Sequence, residues 1–117
     1  MPGEEFIELQ IMLAEEKRRY LEDIQRYLQA IKRVARRFDP DARVILFGSY
    51  VEGRARPDSD VDVLVVTGLA ADTWERARIR AAVAEEIGVS TPFEIHIVTP
   101  EEYEGWYRRF IGRTLEI

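Results

Sequence analysis

Asp60 and Asp62 stand two residues apart where a polar loop gives way to the apolar run Val61-Asp62-Val63-Leu64-Val65-Val66. Side chains of an extended chain alternate between faces, so both carboxylates are expected to leave the same side of a strand. Ionised carboxylates spaced ~7 Å apart along one pleat repel, and a divalent cation relieves that repulsion. Magnesium suits such a place, because it takes oxygen ligands, keeps several waters and is completed by substrate phosphates. Upstream, Gly48-Ser49 directly follows the apolar run Arg43-Val44-Ile45-Leu46-Phe47. A glycine lets backbone amides approach a phosphate, a serine hydroxyl donates to it, and a helical turn favours its charge. A phosphate grip beside metal carboxylates is what phosphoryl or nucleotidyl transfer needs, since that chemistry is mostly positioning and charge neutralisation. Each feature alone has a plainer reading, as a tight turn and as a solvated strand end.

The elements that must hold these residues follow from periodicity and punctuation. Nothing breaks a helix from Glu4 to Phe38, and Pro40 closes that segment. Its second half carries a helical apolar stripe at Tyr20, Ile24, Tyr27, Leu28, Ile31, Val34 and Phe38. Thirty-five residues would span about 52 Å, more than a compact domain of this size needs. Either the helix breaks near Glu15–Arg19, or its first half, with Phe6, Leu9, Met12 and Leu13, projects and packs elsewhere. Arg43–Phe47, Asp60–Val66 and Phe93–Val98 are expected strands, and Tyr50–Gly53 a helical turn. Asp72-Thr73-Trp74-Glu75 reads as a capping box opening a helix to Ile87, with Gly88 as its stop. Thr99-Pro100-Glu101-Glu102 reads as a second one, opening a helix to Phe110. The order α-β-β-α-β-α predicts an α/β fold, a small mixed β-sheet flanked by helices. The organisation expected is a helical segment over 1–38, a core over 43–98 and a C-terminal helix and tail over 100–117.

Composition narrows the chemistry. A chain of 117 residues predicts one domain, and its 46% hydrophobic and 33% charged content is that of a soluble globular protein. The net charge of −5 argues against a duplex-coating protein. No cysteine is present, which excludes thiolate catalysis and cysteine-ligated metals, and the single histidine, His96, excludes any site needing two. No run of ~18 apolar residues predicts a membrane span, and the first residues lack a signal-peptide pattern, so a cytoplasmic location is expected. The absence of asparagine and cysteine fits a heat-adapted chain.

Taken together, Gly48-Ser49, ten intervening residues and then Asp60-Val61-Asp62, all between two apolar strands, resemble the nucleotidyltransferase superfamily typified by DNA polymerase beta. The resemblance is tight from Val44 to Val66, looser to Thr99, and strongest to the minimal nucleotidyltransferases that act as antitoxins. It implies that Gly48 and Ser49 grip a nucleoside triphosphate while Asp60 and Asp62 hold magnesium, with two ions possible. Arg56, with Ala55 and Gly53, also matches the pattern and is placed with Ser59 among the nucleotide-binding residues. The family's third carboxylate lies on a later strand, in a pattern like apolar-Asp-apolar-Val-Thr-Pro-Glu-Glu. Here Ile95-His96-Ile97-Val98-Thr99-Pro100-Glu101-Glu102 puts His96 in that slot. Glu94, two residues earlier, stands on the same strand face and could supply the missing metal ligand and base. His96 is the other candidate base, since a free imidazole titrates at ~6.5.

The resemblance further implies magnesium-dependent transfer of a nucleoside monophosphate, AMP from ATP, to a hydroxyl. Larger superfamily members add a domain for template, tRNA or drug, so the acceptor expected here is another protein. In the family such a partner is a small helical HEPN-type toxin. A homo-oligomer is compatible with the sequence, whereas net acidity disfavours RNA. The competing reading is a module that binds a nucleotide or a partner without turnover. If the Gly-Ser turn grips phosphate, Ser49→Ala should weaken ATP affinity in magnesium by about 1–2 kcal/mol, as read by calorimetry.

Overall fold

The computed structural model describes residues 2–56 and 58–117. Helices α1 (Pro2–Glu22) and α2 (Ile24–Phe38) lead into strands β1 (Arg43–Phe47) and β2 (Val61–Val66). A 3-10 turn (Gly68–Ala71), helix α3 (Thr73–Ile87) and strand β3 (Phe93–Val98) follow. The chain ends with α4 (Pro100–Glu102), a π-helical turn (Tyr103–Tyr107), α5 (Arg108–Phe110) and β4 (Leu115–Glu116). The strands form one sheet in the order β3-β2-β1-β4, with β2 and β3 parallel and the other pairs antiparallel. A parallel pair needs a crossover, and α3 lies within it. This is the mixed, helix-flanked sheet expected from the element order.

Alternation divides the sheet into two different faces. Val44, Leu46, Val63, Val65, Phe93 and Ile97 point to one side and pack under α2 and α3 with Leu28, Ile31, Val34, Ile79 and Val83. Ile45, Leu64, Val66 and Val98 point to the other side, where Tyr103, Tyr107 and Ile111 of the C-terminal segment cover them. Strand β2 is buried on both faces over Val63–Val66, which is why its sequence turns wholly apolar there.

Three features away from the site differ from expectation. The long N-terminal helix breaks at Asp23, not near Glu15–Arg19. Asp23 leaves the helical region at φ −124° and ψ 37°, and its carbonyl accepts from the amides of Arg26 and Tyr27 to start α2. Aspartate competes with the helical backbone for hydrogen bonds, whereas Glu15–Arg19 are good helix formers. One turn before the break, the Tyr20 hydroxyl donates to the Ile87 carbonyl at 2.7 Å, and its ring packs on Tyr27 and Phe93. Beyond this anchor α1 projects, with Phe6 and Met12 each 60% exposed and Leu9 and Leu13 also open. The second difference is β4, too short to show a period, which pairs with β1 while Glu116 accepts two hydrogen bonds from Arg43. The third is Asp72. It caps α3 through the amides of Trp74 and Glu75, but its own amide already donates to Leu69, so Glu75 turns to Arg78 and no reciprocal box forms.

The box at Thr99 is complete: its hydroxyl accepts from the Glu102 amide and the Glu102 carboxylate accepts from the Thr99 amide, each at 3.1 Å. The Thr99 amide, more than the Thr99 hydroxyl or Arg76, holds the Glu102 carboxyl below the usual carboxylate range, against a smaller opposing effect of burial. A lowered folded-state value means that this stability is present above the ordinary carboxylate range and is lost as pH falls through the folded value. Thr99→Ala should therefore cost about 1 kcal/mol in urea denaturation at neutral pH. The deficit of Glu102→Gln against the parent chain should close as the pH is lowered.

Candidate functional site

The register of the sheet assembles the acidic cluster. Asp62 lies opposite Glu94 across the parallel β2–β3 pair and opposite Phe47 across β1–β2, and His96 follows opposite Leu64. All share the face that the C-terminal segment covers only in part. The His96 Nε2 atom lies 3.4 Å from Asp62 Oδ1 and 3.8 Å from Glu94 Oε1. One ligand atom from each of Asp62, Glu94 and His96 falls within 4.8 Å of the other two. The side chains of Asp62 and His96 are about three-quarters buried, while that of Glu94 is open to solvent. The rings of Phe47 and Tyr107 pack on the imidazole, their centroids 5.5 Å and 6.3 Å away.

Gly48 closes the cluster from the side of β1. Its φ of +85° is one that side chains rarely adopt, and a Cβ atom there would sit 2.3 Å from Asp62 Oδ2. The carboxylate thus lies directly against the glycine backbone. Ser49 is half-buried beside it. The carbonyls of Gly48 and Ser49 accept from the amides of Glu52 and Arg54, so the helical turn expected at Tyr50–Gly53 exists as a tight hydrogen-bonded turn without growing into a helix.

The remaining expected site residues lie apart from this cluster. Asp60 precedes β2 instead of opening it, and its carboxylate is 3.5 Å from Lys17 Nζ of α1. The Ser59 hydroxyl accepts from the Arg56 amide at 2.8 Å and so tightens the loop, while the Arg56 side chain is exposed. Lys17 carries no motif, and sequence reasoning had no means of pairing it with Asp60. Nor did the sequence indicate that Tyr107 would reach His96, because that contact depends on a π-helical turn.

The donor set fits a hard divalent cation in part. Asp62 and Glu94 offer carboxylate oxygens whose coordination waters and phosphate oxygens would complete, whereas a neutral imidazole is a poor ligand for such an ion. His96 is better suited to donate a hydrogen bond or carry a proton. Residues 28–113 match the sequence model of the nucleotidyltransferase domain. The chain belongs to this nucleotidyltransferase family. It is accordingly a transferase, and α1 lies outside the matched segment. A crystal structure of a protein provisionally assigned as a nucleotidyltransferase is 29% identical, with a TM-score of 0.66 over 76% of this chain and 95% of its own. A second, also provisionally assigned, from Sulfolobus solfataricus, shares the fold at 19% identity and a TM-score of 0.56, over 89% of this chain and 84% of its own. No curated protein matches the sequence. Within this nucleotidyltransferase domain, Gly48→Ala should cost about 1–2 kcal/mol in chemical denaturation through its positive φ. It should also shift the imidazole resonances of His96 by displacing the Asp62 carboxylate.

Proposed function

We propose that this domain transfers AMP from ATP, with magnesium, to a hydroxyl of a partner protein. What supports this reading most is the placement of Asp62 beside Glu94 on one side and against Gly48 on the other. In this proposal the turn binds the triphosphate, Asp62 and Glu94 hold the cation, and Glu94 takes the acceptor proton. Magnesium, when bound, neutralises the triphosphate. The acceptor oxygen then bonds to the α-phosphorus, and pyrophosphate leaves. Asp60 can join the cation by leaving Lys17, since an exposed ion pair holds it by only about 1 kcal/mol or less. Arg56 and Ser59 would reach the phosphates only through a change in their loop.

A protein acceptor is supported by α1. Phe6, Leu9 and Leu13 are exposed on one side of it and Ile7 and Ile11 on another, apolar area that a partner would cover. In our proposal the partner is a small helical HEPN-type protein and the pair works as toxin and antitoxin in the cytoplasm. Among the described residues, no helix is long and apolar enough to cross a membrane. A second reading, binding without turnover, draws on His96, an imidazole where the family pattern has a carboxylate.

Labelled ATP separates the two. With magnesium and the helical partner, label from the α-phosphate should enter protein, and Asp62→Ala should abolish it. Glu94→Gln should cost on the order of 10²–10⁴ in rate, the range of general acid–base groups, and His96→Gln far less. Tight ATP binding with no label transferred would leave the binding module.

A further inference from the structure

An aromatic row runs outward from the acidic cluster. His96 packs on Tyr107, Tyr107 meets Trp106 edge-on with centroids 4.8 Å apart, and Trp106 meets Phe110 at 5.2 Å with the planes tilted by 41°. At its inner end the row is built into the fold, since Tyr107 joins the layer around Ile45 and Leu64. At its outer end it is not: Trp106 is 56% exposed and Phe110 69% exposed. Large aromatic rings carry much apolar area, and leaving two in contact with each other and with water forgoes its burial. They sit on the π-helical turn and the short helix after it, a backbone form that concentrates at functional sites.

We propose that Trp106 and Phe110 form the subsite for the nucleobase of the donor nucleotide. The proposal rests on the reading that the acidic cluster and Gly48-Ser49 receive the triphosphate. A nucleotide is anionic at one end and a flat aromatic ring at the other, and this surface has the same polarity. Two ring-to-ring steps, of 6.3 Å and 4.8 Å, lead from His96 to Trp106, a span that one nucleotide bridges. The neighbouring Arg108 donates to Glu104 at 2.7 Å, so that guanidinium is already engaged. The base is therefore held by stacking, which every base supports, and not by hydrogen bonds that would select one. Discrimination among ATP, GTP and CTP should accordingly be weak.

Tryptophan fluorescence tests this directly. Trp74 is 78% exposed and takes no part in the aromatic row, so Trp74→Phe leaves Trp106 as the single tryptophan of the full chain. With magnesium, ATP, GTP and CTP should each quench Trp106, at affinities within about ten-fold of one another, whereas inorganic tripolyphosphate should bind by calorimetry without quenching. Trp106→Ala should weaken ATP binding by roughly 5- to 150-fold, and Phe110→Ala in the same direction, with tripolyphosphate affinity unchanged. Equal losses for ATP and tripolyphosphate, or no loss for either, would overturn the subsite. Tripolyphosphate binding with ATP affinity indifferent to both substitutions would overturn the subsite alone. Failure of the parent chain to bind tripolyphosphate at all would overturn the triphosphate reading and the subsite with it.

Discussion

The parallel pairing of β2 with β3 sets Asp62 beside Glu94 on one face of the sheet, and the architecture around that point accommodates the resulting repulsion. Two neighbouring carboxylates tolerate partial burial only where something offsets their charge. His96 stands 3.4 Å from Asp62 at the next position along the same face, and the glycine at position 48 leaves room for the Asp62 oxygen. The same face is apolar further along β2, where Leu64 and Val66 lie under Tyr103. One face of this strand therefore gives two positions to cohesion and one to charge.

That division carries an electrostatic consequence for the whole molecule. The chain is acidic, with a net charge of −5, and a nucleoside triphosphate is strongly anionic. Long-range steering does not draw such a ligand to such a protein. In the function proposed above, attraction is local, from backbone amides at a turn and from a cation that the carboxylates would hold. Basic side chains close to the site are in part already engaged: Lys17 with Asp60, Arg54 with Glu52 and Arg108 with Glu104.

Much of this was legible in the sequence, for reasons that differ by residue. The strands followed from short apolar runs bounded by turn residues, the shared face of Glu94 and His96 from alternation, and the caps at Asp72 and Thr99 from residue chemistry. The meeting of Glu94 with Asp62 depended on strand register, which parity restricts but does not determine. Asp60 illustrates the limit. Its parity with Asp62 was readable, yet its partner is a lysine from a distant helix, and tertiary contacts of that kind leave no local period. Strand β4 and the π-helical turn escaped for the opposite reason, because each is shorter than any repeat that could announce it.

The break at Asp23 makes α1 a lever. Its 21 residues give about 31 Å of rod, so a tilt of about 10° at the break would carry the far tip roughly 5 Å. Lys17, one turn from the Tyr20 anchor, would travel only a small fraction of that distance. A partner that displaced the tip would thus move it further than the inner end, which holds the loop that carries Asp60. Whatever grasps the tip would gain mechanical advantage over the loop that carries Asp60, through a helix that lies outside the segment matched to the family.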